Sequence, residues 1–223
     1  MNAEHFVSEL SRLRFPNVFN PYFDTCPVHD GRNAAAIRCR NLALVLGAAM
    51  NRGVDSIWVG RDLGYRGGRR TGLALTDEAH LSSHAAAFGC RALERATRGP
   101  PVAERTASVI WDRLTALGRP VFLWNVFPLH PHEAGAPMTN RCHTRGERQA
   151  CRDSMMWLLT TLSPKFIVAI GRDAQVALDD LGIAATGVRH PSYGGQAEFI
   201  AGIVELYGLP ATRRNGAQLA LSS

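Results

Sequence analysis

Short apolar runs alternate with longer amphipathic segments along this 223-residue chain. The apolar runs are typical of buried strands, and the amphipathic segments have the spacing of helices. We predict strands at 54–59, 121–124, 166–170 and 186–189. We predict helices at 2–14, 32–51, 79–97, 103–117, 145–162, 171–181 and 196–207.

This alternation favours a parallel sheet covered by helices on both faces, because each strand must return over the sheet to reach the next. We therefore expect an α/β fold, a three-layer αβα sandwich around a four-stranded parallel sheet. The length fits one domain. Residues 1–31 are expected to be an N-terminal extension, and residues from about 209 to 223 a loosely ordered tail.

The composition narrows the class of protein without naming a function. The net charge is +6, supplied mostly by arginine, whose planar fork matches phosphate geometry. Charge alone leaves nucleic-acid binding and an ordinary basic surface equally open. No apolar run is long enough to span a bilayer, and the first residues do not resemble a secretory signal. We expect a cytoplasmic protein that does not bind membranes.

The five cysteines contain no C-x-x-C pair and are expected to be free thiols. A loop rich in histidine and proline, 126–143, carries other metal-binding residue types, but their spacing fits no standard metal site. We expect no metal, no iron–sulfur cluster and no organic cofactor. The residues considered for this site are His130, His132, Glu133, Cys142 and His143.

Polar residues stand where three of the predicted strands end, at Asp62, Asn125 and His190. Ligands of such sheets bind beyond the carboxyl ends of the strands, so we expect these residues to share one edge. Asp62 lies among several arginines, which leaves two interpretations. It is either half of a loop salt bridge, or an acid that holds a water molecule or stabilises a developing cation.

The loop after the first strand is rich in glycine, but it fits neither the dinucleotide fingerprint nor the phosphate-binding loop. The amide of Asn125 suits the edge of a nucleobase, since it both donates and accepts, although it could also cap its own loop. His190 precedes a proline that restricts it to extended geometry. It can donate to a leaving group, or it can be a turn residue without a task.

Taken together, these residues resemble the uracil-DNA glycosylase superfamily over roughly residues 54–206. Gly60-Arg61-Asp62-Leu63-Gly64 is similar to the family's first motif, and the following Y-R-G-G-R-R-T-G is similar to an extension found in some bacterial members. Asn125 matches the asparagine that ends the central strand, and His190-Pro191-Ser192 matches the final H-P-S motif. The chain resembles a divergent bacterial-type member without the iron–sulfur cysteines.

The resemblance implies a role for each matching position. Asp62 would orient the hydrolytic water, and His190 would hydrogen-bond uracil O2 as charge develops on the leaving base. Asn125 would bind uracil N3 and O4, and backbone amides of Arg61 and Asp62 would help hold O2. The other expected base-binding residues are Gly60, Tyr65, Leu75 and Ser192. The expected DNA-binding residues are Arg66, Arg69, Arg70, Arg189 and Tyr193.

Several positions differ from the family's pattern. Leu63 replaces a proline, and Gly64 stands where the acid-bearing branch has a tyrosine that screens out thymine. Leu75 replaces the phenylalanine that stacks on the base, and Tyr193 follows H-P-S in place of an aliphatic wedge.

The function implied is hydrolysis of uracil from DNA, single- or double-stranded, by a monomer that releases free uracil. Two alternatives stay open: a non-catalytic module of the same fold that binds uracil or DNA, and a nucleoside or nucleotide hydrolase.

Overall fold

A four-stranded parallel sheet lies at the centre of the computed structural model, which describes residues 1–209. In chain order the strands are β1 (Val18–Phe19), β2 (Ser56–Asp62), β3 (Val121–Phe127), β4 (His130–Pro131), β5 (Phe166–Ile170) and β6 (Thr186–Val188). The central sheet has the order β3-β2-β5-β6, and β1 pairs with β4 in a separate antiparallel ribbon. The predicted four-stranded parallel sheet is confirmed.

Helices cover both faces of this sheet. They are α1 (Ala3–Arg12), α2 (Ala34–Arg52), α3 (Gly68–Thr71), α4 (Leu81–Phe88), α5 (Arg105–Leu117), α6 (Arg145–Ala150), α7 (Arg152–Leu162), α8 (Arg172–Asp180) and α9 (Gln196–Leu206). Successive strand residues point to opposite faces. Trp58 and Leu123 therefore pack with α5 and α9, whereas Val59 and Trp124 pack with α1, α2, α7 and α8. The result is the expected three-layer αβα sandwich.

Two predicted helices are shorter than their sequence pattern indicates. The helix predicted over 79–97 ends at Phe88, because Gly89 adopts a left-handed φ of 62° and its N–H bonds back to Ala85 and Ala86. A short 3₁₀ helix, Glu78–His80, precedes it. The helix predicted over 145–162 divides at Cys151 into α6 and α7.

The first 31 residues pack into the domain. Phe6 and Leu10 of α1 are buried in the core between α2 and the sheet, and Phe6 stacks on Trp157. Asp30 forms a buried ion pair with Arg38 of α2. This segment, predicted as an N-terminal extension, therefore contributes to the hydrophobic core.

The predicted loose tail falls almost wholly on 210–223, outside the described residues. Among the residues described, no helix combines the length and the apolar character needed to cross a membrane.

The carboxyl end of β2 is paired on one side only. The pairing of β2 with β5 stops at Val59, whereas its pairing with β3 continues to Asp62. The chain proceeds from β2 to β3 on one side and later to β5 on the other, so this is the point at which strand order reverses. Open α/β sheets bind their ligands at such a point.

Candidate active site

The amide of Asn125 is buried without a hydrogen-bond partner. Asn125 lies inside β3, opposite Gly60 on β2, and is 1% exposed. It was expected at the strand's end, but β3 continues two residues further, to Phe127. Within residues 1–209, neither Oδ1 nor Nδ2 of this amide meets a donor or acceptor. An unsatisfied buried polar group costs about 1–3 kcal/mol, and both polar atoms of this amide are available to a ligand.

Gly60 and Leu75 form the walls around this amide. A Cβ atom at position 60 would lie 2.5 Å from Oδ1 of Asn125 and 3.1 Å from Cδ2 of Leu75. Only glycine leaves this space free. Leu75 is held over Gly60 with a φ of 52°, a left-handed conformation that is uncommon for leucine. Gly60 thus lies between the apolar side chain of Leu75 and the polar side chain of Asn125.

Asp62 is the last residue of β2, with a side chain only 5% exposed. Its Oδ2 accepts a hydrogen bond from Nε of Arg61 at 2.5 Å, and Arg61 also contacts Asp173 of α8 at 2.6 Å. The salt bridge predicted for Asp62 therefore forms, with Arg61 as its partner. It lies at the same edge of the sheet as the Asn125 amide.

The other oxygen of Asp62 contacts His143, which sequence reasoning had considered only as a metal ligand. Nδ1 of His143 is hydrogen-bonded to Oδ1 of Asp62. The motif Thr144-x-x-Glu147 is a capping box that starts α6 and fixes His143 just before it. This box was the one signal in the sequence that could have placed His143 at a defined helix start.

His190 follows β6 and is oriented as a donor. The backbone N–H of Ser192 donates to its Nδ1 at 3.2 Å, and the Ser192 hydroxyl lies 2.7 Å from the same atom. Nδ1 is therefore the acceptor, so the ring hydrogen is on Nε2. Burial lowers the pKa of His190, and the cations Arg61 and Arg189 lower it further. A Cβ atom at Gly171 would lie 3.0 Å from that of His190, so this glycine at the start of α8 lets the histidine reach the sheet edge.

Two of the five residues predicted to bind DNA are buried. Nη1 of Arg69 donates to the carbonyl of Pro137, and its guanidinium stacks 4.0 Å from the centre of the Phe19 ring. Arg70 forms an ion pair at 3.1 Å with the fully buried carboxylate of Glu78. Both side chains are committed to contacts inside the protein, which leaves them unavailable to a DNA-binding surface.

The other three predicted DNA-binding residues are accessible. Arg66 and Arg189 are exposed. Tyr193 is 98% exposed and has a φ of 50°, which directs it outward from the turn that follows His190. Tyr65 is half-buried, and its backbone N–H donates to the side chain of Asn140 at 3.0 Å.

The carboxyl group of Glu104 lies where the first motif departs from the family pattern. A Cβ atom at Gly64 would lie 3.7 Å from Oε1 of Glu104, so a polar group neighbours the position at which the family has a tyrosine. Burial raises the pKa of Glu104, and the nearby Asp77 raises it further. This edge of the loop is therefore polar, and its acid is more easily protonated than usual.

The histidine-rich loop is held by its own hydrogen bonds. Nε2 of His130 bonds to the carbonyl of Thr139 at 2.9 Å, and Nδ1 of His132 to that of Glu133 at 2.9 Å. Over residues 1–209, no group of three or more potential ligands is arranged to hold a metal ion.

Comparisons with known proteins bear on the family and the fold. The family model described as the uracil DNA glycosylase superfamily matches residues 51–207. A search of curated proteins gives no match. Among solved structures, wild-type SMUG2 of Pedobacter heparinus superposes with a TM-score of 0.62 at 13% identity, covering 93% of this chain and 96% of that chain. At this identity the structural match establishes the fold.

Proposed function

Since the chain belongs to the uracil DNA glycosylase superfamily, we propose that it flips uracil out of DNA and hydrolyses its N-glycosidic bond. The observation that carries this proposal is the buried amide of Asn125 beside Gly60, which has no hydrogen-bond partner within residues 1–209. Uracil presents an N–H donor at N3 next to a carbonyl acceptor at O4. An asparagine amide complements this pair of groups with one acceptor and one donor. The base would therefore satisfy both orphan atoms at once.

Asp62 and His190 would act on opposite sides of the bond that breaks. The bond between C1′ and the base nitrogen breaks, and its electron pair leaves with the base. A water oxygen then adds to C1′, and the water's proton balances the charge on the base anion. Nε2–H of His190 would donate to O2 as charge develops there, and the carboxylate of Asp62 would stabilise the sugar cation and orient the water.

The free edge of β2 would supply further donors. β5 stops pairing with β2 at Val59. Within residues 1–209, the edge of β2 that faces β5 therefore has no paired strand from Gly60 to Asp62. Backbone amides of Arg61 and Asp62 can then face the base, while Ser192 keeps His190 in its donor tautomer. Tyr65 and Leu75 would close the pocket around the base.

DNA would be held by the accessible part of the basic surface. Arg66 and Arg189 would contact phosphates, and Tyr193 would fill the gap left by the flipped base. We further propose a cytoplasmic monomer that needs no metal or organic cofactor. Strand preference, single or double, is left open.

The test uses an oligonucleotide that contains one deoxyuridine. We expect free uracil and an alkali-labile site, and expect both to be lost in Asp62→Asn and in His190→Ala. DNA binding without uracil release would favour the non-catalytic module. Hydrolysis of free deoxyuridine or its monophosphate alone would favour the nucleotide hydrolase.

A second variant tests the assigned base contact. Asn125→Asp changes the donor and acceptor pattern of the side chain, so it should weaken the discrimination between uracil and cytosine. The ratio of single-turnover rates on the two bases measures this, and an unchanged ratio would count against the assignment.

A further inference from the structure

We infer that Arg148 is a positioning residue for the active site, which fixes His143 as a neutral donor to Asp62. This inference rests on the proposed function for its catalytic meaning, but the state of His143 can be measured without any substrate. It begins from a contact between residues 81 positions apart, in which His143 Nδ1 meets Asp62 Oδ1. Both side chains are almost fully buried, at 3% and 5% exposure.

Arg148 determines which ring nitrogen carries the hydrogen. Its Nη1 lies 3.2 Å from Nε2 of His143. A guanidinium only donates hydrogen bonds, so Nε2 must accept and cannot carry a hydrogen of its own. The hydrogen is therefore on Nδ1, where it points at the carboxylate of Asp62, and the ring is neutral. A hydrogen on Nε2 of His143 would point at the Arg148 guanidinium, which has no atom that can accept it.

Arg148 is itself held in place. Its Nη2 and Nε bond to Oδ2 of Asp180 at 2.7 and 3.2 Å. The start of α6 is fixed by Glu147, which accepts from the backbone N–H of Thr144 at 2.6 Å and from Arg141 at 2.6 and 2.9 Å. His143 and Arg148 therefore lie on a short, well-anchored helix start.

The two sides of Asp62 are supported from one helix. Arg61 binds Oδ2 of Asp62 and reaches Asp173 in the first turn of α8. His143 binds Oδ1 and connects through Arg148 to Asp180, the last residue of α8. Each carboxylate oxygen thus receives one donor whose direction is set by α8, so the carboxylate is held in one orientation.

The first experiment observes the ring nitrogens of His143 by long-range ¹H–¹⁵N NMR of the free protein near pH 7. The inference requires the neutral tautomer with its hydrogen on Nδ1. In Arg148→Met we expect the hydrogen no longer to be restricted to Nδ1, since the opposing donor is gone. Observation of the Nε2–H tautomer, or of an imidazolium in the wild-type protein, would overturn the inference even if Arg148→Met failed to fold.

The second experiment measures single-turnover uracil release. Arg148→Met should be slower by about 10- to 100-fold, the usual effect of removing a residue that orients another group. Arg148→Lys retains a donor and should recover part of the rate and the neutral tautomer. The matched control is Arg145→Met, because Arg145 contacts the same Asp180, at 3.4 Å, from a side chain that is 76% exposed. Arg145→Met should change neither the rate of uracil release nor the tautomer of His143.

The two proposals fail in distinguishable ways. A wild-type protein with the expected tautomer but no uracil release would refute the proposed function and still support the state assigned to His143. The wild type could instead be active while Arg148→Met keeps both the full rate and the hydrogen of His143 on Nδ1. That result would refute the role of Arg148 alone.

Discussion

Gly60 and Asn125 lie side by side on neighbouring strands, and the Asn125 amide occupies the space that any side chain at position 60 would need. The two residues therefore form one unit: the absence of a Cβ atom on β2 is what allows a polar amide to stand buried on β3. No other contact in the described part of the chain satisfies that amide.

Gly60→Ala should abolish uracil release while leaving the protein folded. The new Cβ atom would meet Oδ1 of Asn125 at 2.5 Å and displace the amide. We expect a single-turnover rate lower by at least about 10²-fold, similar to the loss of one preorganised donor, and a loss of stability of about 1–3 kcal/mol from overpacking. Gly47→Ala is the matched control, since a Cβ atom there would lie 4.0 Å from its nearest neighbour. Full activity in Gly60→Ala would contradict the assigned geometry.

Asn125→Leu should separate activity from stability. Its replacement removes no hydrogen bond from the folded protein, because the amide has no partner within residues 1–209, and leucine branches at the same carbon. The free energy of unfolding should stay the same or increase, whereas uracil release should fall by about 10²–10³-fold. Urea unfolding and single-turnover assays measure the two effects. A large drop in stability with retained activity would mean that the amide has a structural task.

The charge state of His190 should depend on Arg189. Burial lowers the pKa of His190, and Arg61 and Arg189 lower it further, so the ring stays neutral at a pH where an ordinary histidine is partly charged. Arg189→Gln removes one cation and should raise this pKa, which moves the acidic limb of the single-turnover profile to higher pH. NMR titration of the free protein reads the same shift without DNA. An unchanged titration would show that Arg189 does not act on the ring.

The lowered pKa of His190 also determines how the stability of the protein depends on pH. With its pKa lowered in the folded state, His190 takes up a proton more readily in the unfolded chain. Its contribution to stability is therefore present above the unfolded pKa and is lost as the pH falls below it. Arg189→Gln should reduce that loss.

Removal of Arg66 should weaken DNA binding, whereas removal of Arg70 should reduce stability. Arg66 is exposed, so Arg66→Ala should weaken DNA binding and reduce the dependence of log affinity on log salt concentration by about one unit, with stability unchanged. Arg70→Met instead leaves the buried carboxylate of Glu78 without its cation, and should cost about 3–5 kcal/mol of unfolding free energy. Salt-dependent binding and urea unfolding test both variants. If both variants stay fully stable and lose DNA affinity equally, the structural role of Arg70 as the partner of Glu78 is contradicted.

Much of the fold could be predicted because it depends on local patterns. The apolar strands and amphipathic helices follow from the spacing of hydrophobic residues, and a parallel sheet follows from their alternation. The motifs around Asp62 and His190 gave the family, which the match over residues 51–207 shows independently. The main error in the helices, over residues 89–97, came from an apolar pattern that continues past Gly89, where the backbone turns out of the helix.

The sequence by itself determined the layered architecture and the chemical types brought to one sheet edge, since both are encoded in short stretches of chain. Only the tertiary structure decided which of these groups are free. It buried Arg69 and Arg70 against Pro137 and Glu78, and it placed His143 on Asp62. Within residues 1–209, it also left the Asn125 amide without a partner. Arginines in a loop look alike in sequence, and whether each meets solvent, a carbonyl or a carboxylate depends on chain segments that approach from far away.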